Sequence, residues 1–421
     1  MNIKYIKYLL NIILHMKMTS SSSDIPKVPK VMLSMIVKNE SKIINRCLER
    51  VRELVDGVCI CDTGSTDDTW TILETWKSKI PNVHIFQDGW KNFGHNRTLG
   101  IQHALSVIPT EDRNDWFLLF LDADMELVVV EDSKRMEIKN SFLDKADVWY
   151  TIQKLGSITY SNIRWVRASM EMECVGPTHE YYEIKTKDPR ILTTPEWIYI
   201  QDQGDGGCKS DKFSRDVCLL KEDLRKNPTN SRNWFYLANS YRNLNENEEA
   251  CKAYHHRIGL GGWKEEVYMS LIYLGDTLLR WDDPEHNTQA LMAWLEAYEV
   301  IPYRVESLYR LCRFYRMQQR PQLAMLFYKQ GMKFSSLLSL SSTPTPLFHE
   351  HLIEKYLWKI EMSILGFYTG QKEQGKQACL DLLQQEESLP KELFEMTLKN
   401  LKYYNFESST EHINGTYKRN I

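Results

Sequence analysis

The stretch Trp116-Phe117-Leu118-Leu119-Phe120-Leu121-Asp122-Ala123-Asp124-Met125-Glu126 decides how the rest of the chain is read. Six consecutive apolar residues predict a strand covered on both faces, as in the interior of a parallel sheet. The run then becomes acidic, with Asp122, Asp124 and Glu126 at alternate positions. In open α/β sheets, ligands bind beyond the carboxyl ends of the strands. Carboxylates crowded at such an edge repel one another unless a cation or a set of hydrogen bonds compensates. Hard oxygen ligands suit Mg²⁺ or Mn²⁺, and these ions are commonly shared with substrate phosphates. A metal–diphosphate site and a solvated acidic turn are the two readings, and Asp-x-Asp alone does not separate them.

Working outward, residues 30–205 alternate strand and helix patterns. Strands are expected at 31–37, 57–61 and 83–87, and helices at 40–54, from the 65–68 stretch to about 79, and at 96–107. Ser65-Thr66-Asp67-Asp68 supplies N-cap chemistry for the second helix. Strand-like stretches recur at 148–152 and 163–167. This order predicts a mainly parallel, mixed sheet flanked by helices.

From about residue 215 the pattern is helical throughout. Trp234, Leu237, Ala238, Tyr241, Ala250 and Tyr254 follow the spacing of a tetratricopeptide repeat. Leu308, Leu311, Cys312, Tyr315, Ala324 and Tyr328 repeat it. Ala290, Trp294, Ala297 and Pro302 keep half of the pattern, and a fourth copy is expected around Gly366, Ala378 and Leu382. The expected organisation is a tail and linker at 1–29, an α/β domain at 30–215, helical repeats at 216–400 and a C-terminal tail at 401–421, frayed from Glu407 on. The Ser/Thr/Pro-rich stretch 335–346 reads as a loop interrupting the array.

The chain has 421 residues, a net charge of −3 and nine scattered Cys. The charge gives no basis for nucleic-acid binding. No Cys-x-x-Cys pair occurs, which predicts reduced thiols and a cytoplasmic protein. The apolar run within residues 1–18 is too short for a transmembrane span, leaving peripheral membrane contact as its most that can be read.

Four further stretches fall beyond strand ends. Lys38-Asn39-Glu40 follows the first strand. Cys61-Asp62-Thr63-Gly64-Ser65-Thr66-Asp67-Asp68-Thr69 follows the second, where Asp62 suits a pyrimidine N–H, Gly64 allows close approach, and the next helix offers free N–H groups. Asn96-Arg97 opens a helix; Arg97 suits a diphosphate or ribose, or else holds Asp122. His179-Glu180 offers a metal ligand or a general base.

Taken together, residues 30–205 resemble a family-2 glycosyltransferase of the GT-A fold. The resemblance rests on Asn39-Glu40, the 62–69 loop, Asn96-Arg97 and Asp122-Ala123-Asp124. The whole chain resembles the subgroup in which that domain precedes tetratricopeptide-like repeats, among them bacteriocin S-glycosyltransferases. The resemblance implies an inverting, metal-dependent transferase with a nucleotide-sugar donor, expected to be a UDP-sugar. Glu40, Asp62, Arg97 and Asp122 would contact the donor, Asp124 would bind Mn²⁺ or Mg²⁺, and Glu180 would be the general base. Members often carry a metal-ligating His late in the domain. The corresponding stretch here, 198–207, has none, so Asp202, or Asp205 or His179, is expected to serve, or the ion is held with fewer protein ligands. Lys209, Lys212 and Arg215 form an alternative phosphate clamp. The repeats are expected to hold a protein or peptide acceptor, or to form a homo-oligomer. The competing reading is a non-catalytic nucleotide-binding scaffold. A nucleotidyltransferase ranks lower, because the loop after the first strand lacks glycine.

Overall fold

The computed structural model describes residues 28–131, 134–156, 158–206, 211–338, 348–385 and 388–417. The expectations placed on residues 1–18 and on Lys209 lie outside the described residues. The chain divides into two compact units between Lys212 and Phe213.

The first unit is built on a nine-stranded sheet. Its strands are β1 (Lys30–Val37), β2 (Gly57–Asp62), β3 (Val83–Gln87), β4 (Trp116–Phe120), β5 (Met125–Val129), β6 (Val148–Leu155), β7 (Ile158–Arg167), β10 (Ile191–Thr193) and β11 (Ile198–Asp202). Met172–Val175 (β8) and Tyr181–Ile184 (β9) pair in a separate ribbon. The main order is β3-β2-β1-β4-β7-β6-β11-β5, with β10 beside β6. β3, β2, β1 and β4 run parallel, whereas β7 is antiparallel to both β4 and β6. The mixed, mainly parallel sheet expected from the sequence is present.

The apolar run of β4 is buried on both faces because two layers cover it. Phe117, Leu119 and Leu121 share a core with Val31, Leu33 and Met35 and with Ile44, Cys47, Leu48 and Val51 of the Ile44–Val51 helix. Trp116, Leu118 and Phe120 share the opposite core with Ile101 and Ala104 of the Phe93–Val107 helix. Each such side chain contributes about 1.5–3 kcal/mol when fully buried. The period of two in the strands and of 3–4 in the helices thus resolves into two cores back to back.

Several boundaries differ from expectation. The second helix runs Thr69–Trp76, ending short of the expected 79; within the 65–68 capping stretch it is Asp67 that accepts from Thr69 N, at 3.0 Å, while Asp68 makes no capping bond. β5 was not expected. Its alternation, with Met125, Leu127 and Val129 buried, is short and hidden behind the acidic run, and its partner β11 lies some 70 residues on, in antiparallel register with Ile200 opposite Leu127. The chain leaves β4, turns through Asp122 and Asp124, and rejoins the sheet at its far end.

The second unit is helical. Its helices Ser231–Asn243, Asn247–Gly259, Lys264–Leu278, Pro284–Val300, Val305–Met317, Pro321–Leu338, Trp358–Tyr368 and Lys372–Leu383 form antiparallel pairs. Small residues allow close approach: a Cβ on Gly275 would lie 2.4 Å from the Trp294 indole nitrogen. The expected frayed tail is instead part of a helix, Lys391–Tyr417. Asn400 and Tyr404 tie it down by donating to Ser363 Oγ and Ser363 O, each at 2.8 Å. Among the described residues no helix is long and apolar enough to cross a membrane.

Candidate active site

The loops after β1 and β2 are stitched to each other. Asn39 adopts φ +58°, a left-handed conformation Asn tolerates. From there its N–H donates to Ser65 Oγ at 2.9 Å, and its Oδ1 accepts from Thr66 N at 2.7 Å. Glu40 N donates to Thr69 Oγ1 and Ser41 N to Asp67 Oδ2. Asp62, buried at the end of β2, accepts from Gly64 N at 2.9 Å and Ser65 N at 2.7 Å through one oxygen. The N–H groups of Gly64, Ser65, Thr66 and Thr69 are therefore satisfied within the loops. Of the groups at the helix start, this takes up Thr69 N–H. The loop's shape is fixed before any ligand arrives.

Arg97 is the hub of the acidic edge. Its Nε donates to Glu180 Oε1 at 2.7 Å and its Nη2 to Asp122 Oδ1 at 2.6 Å. The Arg97 side chain is 10% exposed. Burial works against its charge, but Asp122 and Glu180 outweigh it and raise its pKa well above the usual value. Burial likewise opposes the Asp122 charge, while Arg97 and then Arg164 hold that carboxyl below its usual range. Of the two sequence readings of Arg97, the contact observed is the one with Asp122.

Arg164 belongs to a layer beneath. From β7 it donates to Phe120 O at 3.3 Å and to Gln153 Oε1 on β6. Gln153 Nε2 in turn donates to Asp202 Oδ2 at 2.9 Å, and Gly204 N donates to Asp202 Oδ1 at 2.8 Å. Sequence reading missed Gln153 and Arg164. They sit inside strands with no motif around them, and only the antiparallel insertion of β7 and β6 brings them under the site.

Asp124 lies beside Gly206. Gly206 N reaches Asp124 Oδ2 at 3.4 Å, and a Cβ on Gly206 would sit 3.1 Å from that oxygen and 3.6 Å from Glu40 Oε1. Two carboxylates thus converge on one small patch. Asp205 is taken up by Arg46 in a two-pronged pair at 2.8 and 2.7 Å, and Arg46 also reaches Glu126. Glu126, third in the acidic run, is buried and also paired with Arg50 at 2.8 Å, so it fastens the Ile44–Val51 helix to β5. His179 adopts φ +50° at the turn before Glu180. No group of three or more metal-binding side chains gathers among the described residues. Asp124 with Glu40 nearby nevertheless fits an ion such as Mg²⁺, which takes one or two carboxylates and completes its shell with water and phosphate.

Glu180 is positioned by a contact the sequence reading also missed. Phe93 N donates to Pro177 O at 3.1 Å and Gly94 N to Gly176 O at 3.0 Å. Thr98 Oγ1 bridges the backbone of Cys174, at 3.2 and 3.0 Å. The Phe93–Val107 helix thereby holds both Arg97 and the loop that delivers Glu180. A Cβ on Gly94 would lie 2.4 Å from Gly176 O and 2.9 Å from Cys174 O, both backbone atoms. Gly94→Ala is therefore expected to destabilise this unit by about 1–3 kcal/mol, the usual cost of overpacking. Urea unfolding of the full chain checks it.

Comparison with known proteins agrees with this geometry. The family description "Glycosyl transferase family 2" matches residues 33–128, from β1 through the Asp122–Asp124 edge into β5. The SPbeta prophage-derived glycosyltransferase SunS of Bacillus subtilis (strain 168) is 26% identical over 230 residues, 53% of this chain and 51% of that protein. A TPR repeat-containing protein of Synechococcus elongatus is 28% identical over 156 residues, 36% of this chain and 35% of that one. The chain spans about half the length of the SunS relatives it matches. The solved structure of S. aureus TarS 1-349 gives a TM-score of 0.33 at 18% identity, covering 64% of this chain and 90% of that one; at that score the likeness carries no argument. Residues 33–128 are a glycosyl transferase family 2 domain, and this chain joins it to tetratricopeptide-like helical repeats.

Proposed function

We propose that the first unit transfers a sugar from a nucleoside-diphosphate donor to an acceptor with inversion, and that the repeats hold a polypeptide acceptor. The observation that carries this reading is the junction of Asp122 and Glu180 on Arg97 at the same sheet edge as Asp124 and Glu40. The stitched loops after β1 and β2 form the donor's cradle. Asp62 shapes the part of it that receives the base, expected to be uracil. Glu40 and Asp122 lie where ribose and sugar hydroxyls would need acceptors. A divalent ion, Mn²⁺ or Mg²⁺, bound by Asp124 together with the donor phosphates would offset the charge of the departing diphosphate. Glu180 takes the proton from the acceptor as its heteroatom bonds to the anomeric carbon and the bond to the diphosphate breaks. Arg97 holds Glu180 and Asp122 at fixed separation through that step. Asp202 and Asp205 serve as supports, given their bonds to Gln153, Gly204 and Arg46.

Thermal unfolding against a panel of nucleoside diphosphates and sugar nucleotides, with and without Mn²⁺, tests the donor site. A ligand at a hundredfold excess over its dissociation constant stabilises the fold by roughly 2.7 kcal/mol. One nucleotide should give a metal-dependent shift, and Asp124→Ala should remove it. Absence of any shift would favour the scaffold reading.

A further inference from the structure

Two first helices of the repeat unit, Ser231–Asn243 and Val305–Met317, touch one short segment of the same chain, Phe348-His349-Glu350, and the helix between them, Lys264–Leu278, supports those contacts. The Phe348 ring lies over Phe235 of the first of these helices, with centroids 5.8 Å apart and planes at 28°. Tyr273 of Lys264–Leu278 continues the aromatic surface, 6.5 Å from Phe235, with the Arg242 guanidinium 3.9 Å over its ring. Glu350 Oε1 accepts from Arg310 Nη2 of Val305–Met317 at 2.7 Å, and Glu350 N donates to Glu306 Oε1 at 3.4 Å. Arg310 is held in place by Asp276, at 2.7 and 2.8 Å.

These contacts are of three kinds: ring on ring, guanidinium on carboxylate, and carboxylate on backbone N–H. They are the contacts with which the concave face of a helical array grips an extended peptide. Phe348 is 42% exposed and the Glu350 side chain 34% exposed, yet Phe348 covers Phe235, which is fully buried. Displacing the segment therefore uncovers Phe235 until another ring takes the place of Phe348. Phe348 also has φ +51°, a left-handed conformation that bulky residues rarely adopt, so its contacts hold it there against local preference.

We propose that residues 348–350 are an internal ligand of this face. When the segment is displaced, the face takes the same pattern from a partner polypeptide: an aromatic residue followed two positions later by a carboxylate. A tethered segment competes at an effective concentration on the order of millimolar, so the tether sets the affinity threshold a partner must exceed. The inference deepens the reading of the repeats as an acceptor-holding surface. Its test reads binding alone, so its failure is distinguishable from failure of sugar transfer.

The probe is a fluorescein-labelled peptide with the sequence of residues 348–352, Phe-His-Glu-His-Leu, followed by fluorescence polarisation on the full chain. The double variant Phe348→Ala/Glu350→Gln is expected to bind it at least tenfold more tightly than the wild type. Adding Arg310→Gln, or replacing the peptide's Phe and Glu by Ala and Gln, should remove the gain. Equal affinity of the wild type and a folded double variant, or binding by neither, overturns the proposal. Should the double variant not fold, the wild type decides. Millimolar free peptide is then expected to speed amide hydrogen exchange in residues 348–352, and unchanged exchange there overturns it.

Discussion

Arg97→Met is expected to lower the stability of the sheet unit by about 3–5 kcal/mol, the range for breaking a buried ion pair by removing one partner. The size follows from geometry. One guanidinium, on a side chain 10% exposed, serves two carboxylates on two different elements, at 2.6 and 2.7 Å. Its loss leaves Asp122 and Glu180 facing each other without a cation between them. Arg97→Lys should recover little, because a single ammonium cannot match a planar fork directed at two acceptors. Urea unfolding gives the stability, and turnover should fall with it because Glu180 and Asp122 lose their shared anchor.

The same variant should change the acid limb of stability. Asp122 has a folded pKa below its unfolded value of about 3.9, despite burial, because of Arg97 and Arg164. A depressed carboxyl stabilises the fold above the unfolded value, and this contribution is lost as pH falls through the folded one. Wild-type stability should therefore drop below about pH 4, and the drop should flatten in Arg97→Met. An unchanged slope would show that the pair does not contribute.

Glu180→Gln separates chemistry from architecture. The amide oxygen can still accept from Arg97 Nε, now at 2.7 Å from Glu180 Oε1, so the loop should stay in place. The amide cannot take a proton. Turnover is expected to fall by about 10²–10⁴-fold, the usual contribution of a positioned general base, with the nucleotide-induced thermal shift retained. Undiminished turnover would remove Glu180 from the base role. A lost thermal shift would instead reassign it to donor binding.

Much of the fold is legible in the residue pattern. The apolar run 116–121, whose first five residues form β4, needs cover on both faces, and two cores supply it. The repeats announce themselves through Ala238, Ala250 and Tyr254, whose sizes fit one spacing. The failures have physical causes. Met125 to Val129 is given no element because the β11 partner that makes it a strand is far away in sequence. The stretch 401–417 reads as a tail because Ser363, which receives Asn400 and Tyr404, lies on another helix.

The sequence by itself determined which chemical groups stand at the strand ends: Asp62 ends β2, and Glu40, Asp122 and Asp124 follow β1 and β4, because short loops leave strands there, and that is a local property. Tertiary structure alone decided what each group does with its oxygens. Glu126 and Asp205 are separated by nearly eighty residues, yet Arg46 pairs with both and Arg50 with Glu126. Asp62 holds a turn, Asn39 locks two loops, and Glu180 meets Asp122 through Arg97 across 25 and 83 residues of chain. A carboxylate's role depends on the cation or N–H that reaches it first, and in a sheet with crossovers that partner comes from a neighbouring strand or helix, not from a neighbour in sequence.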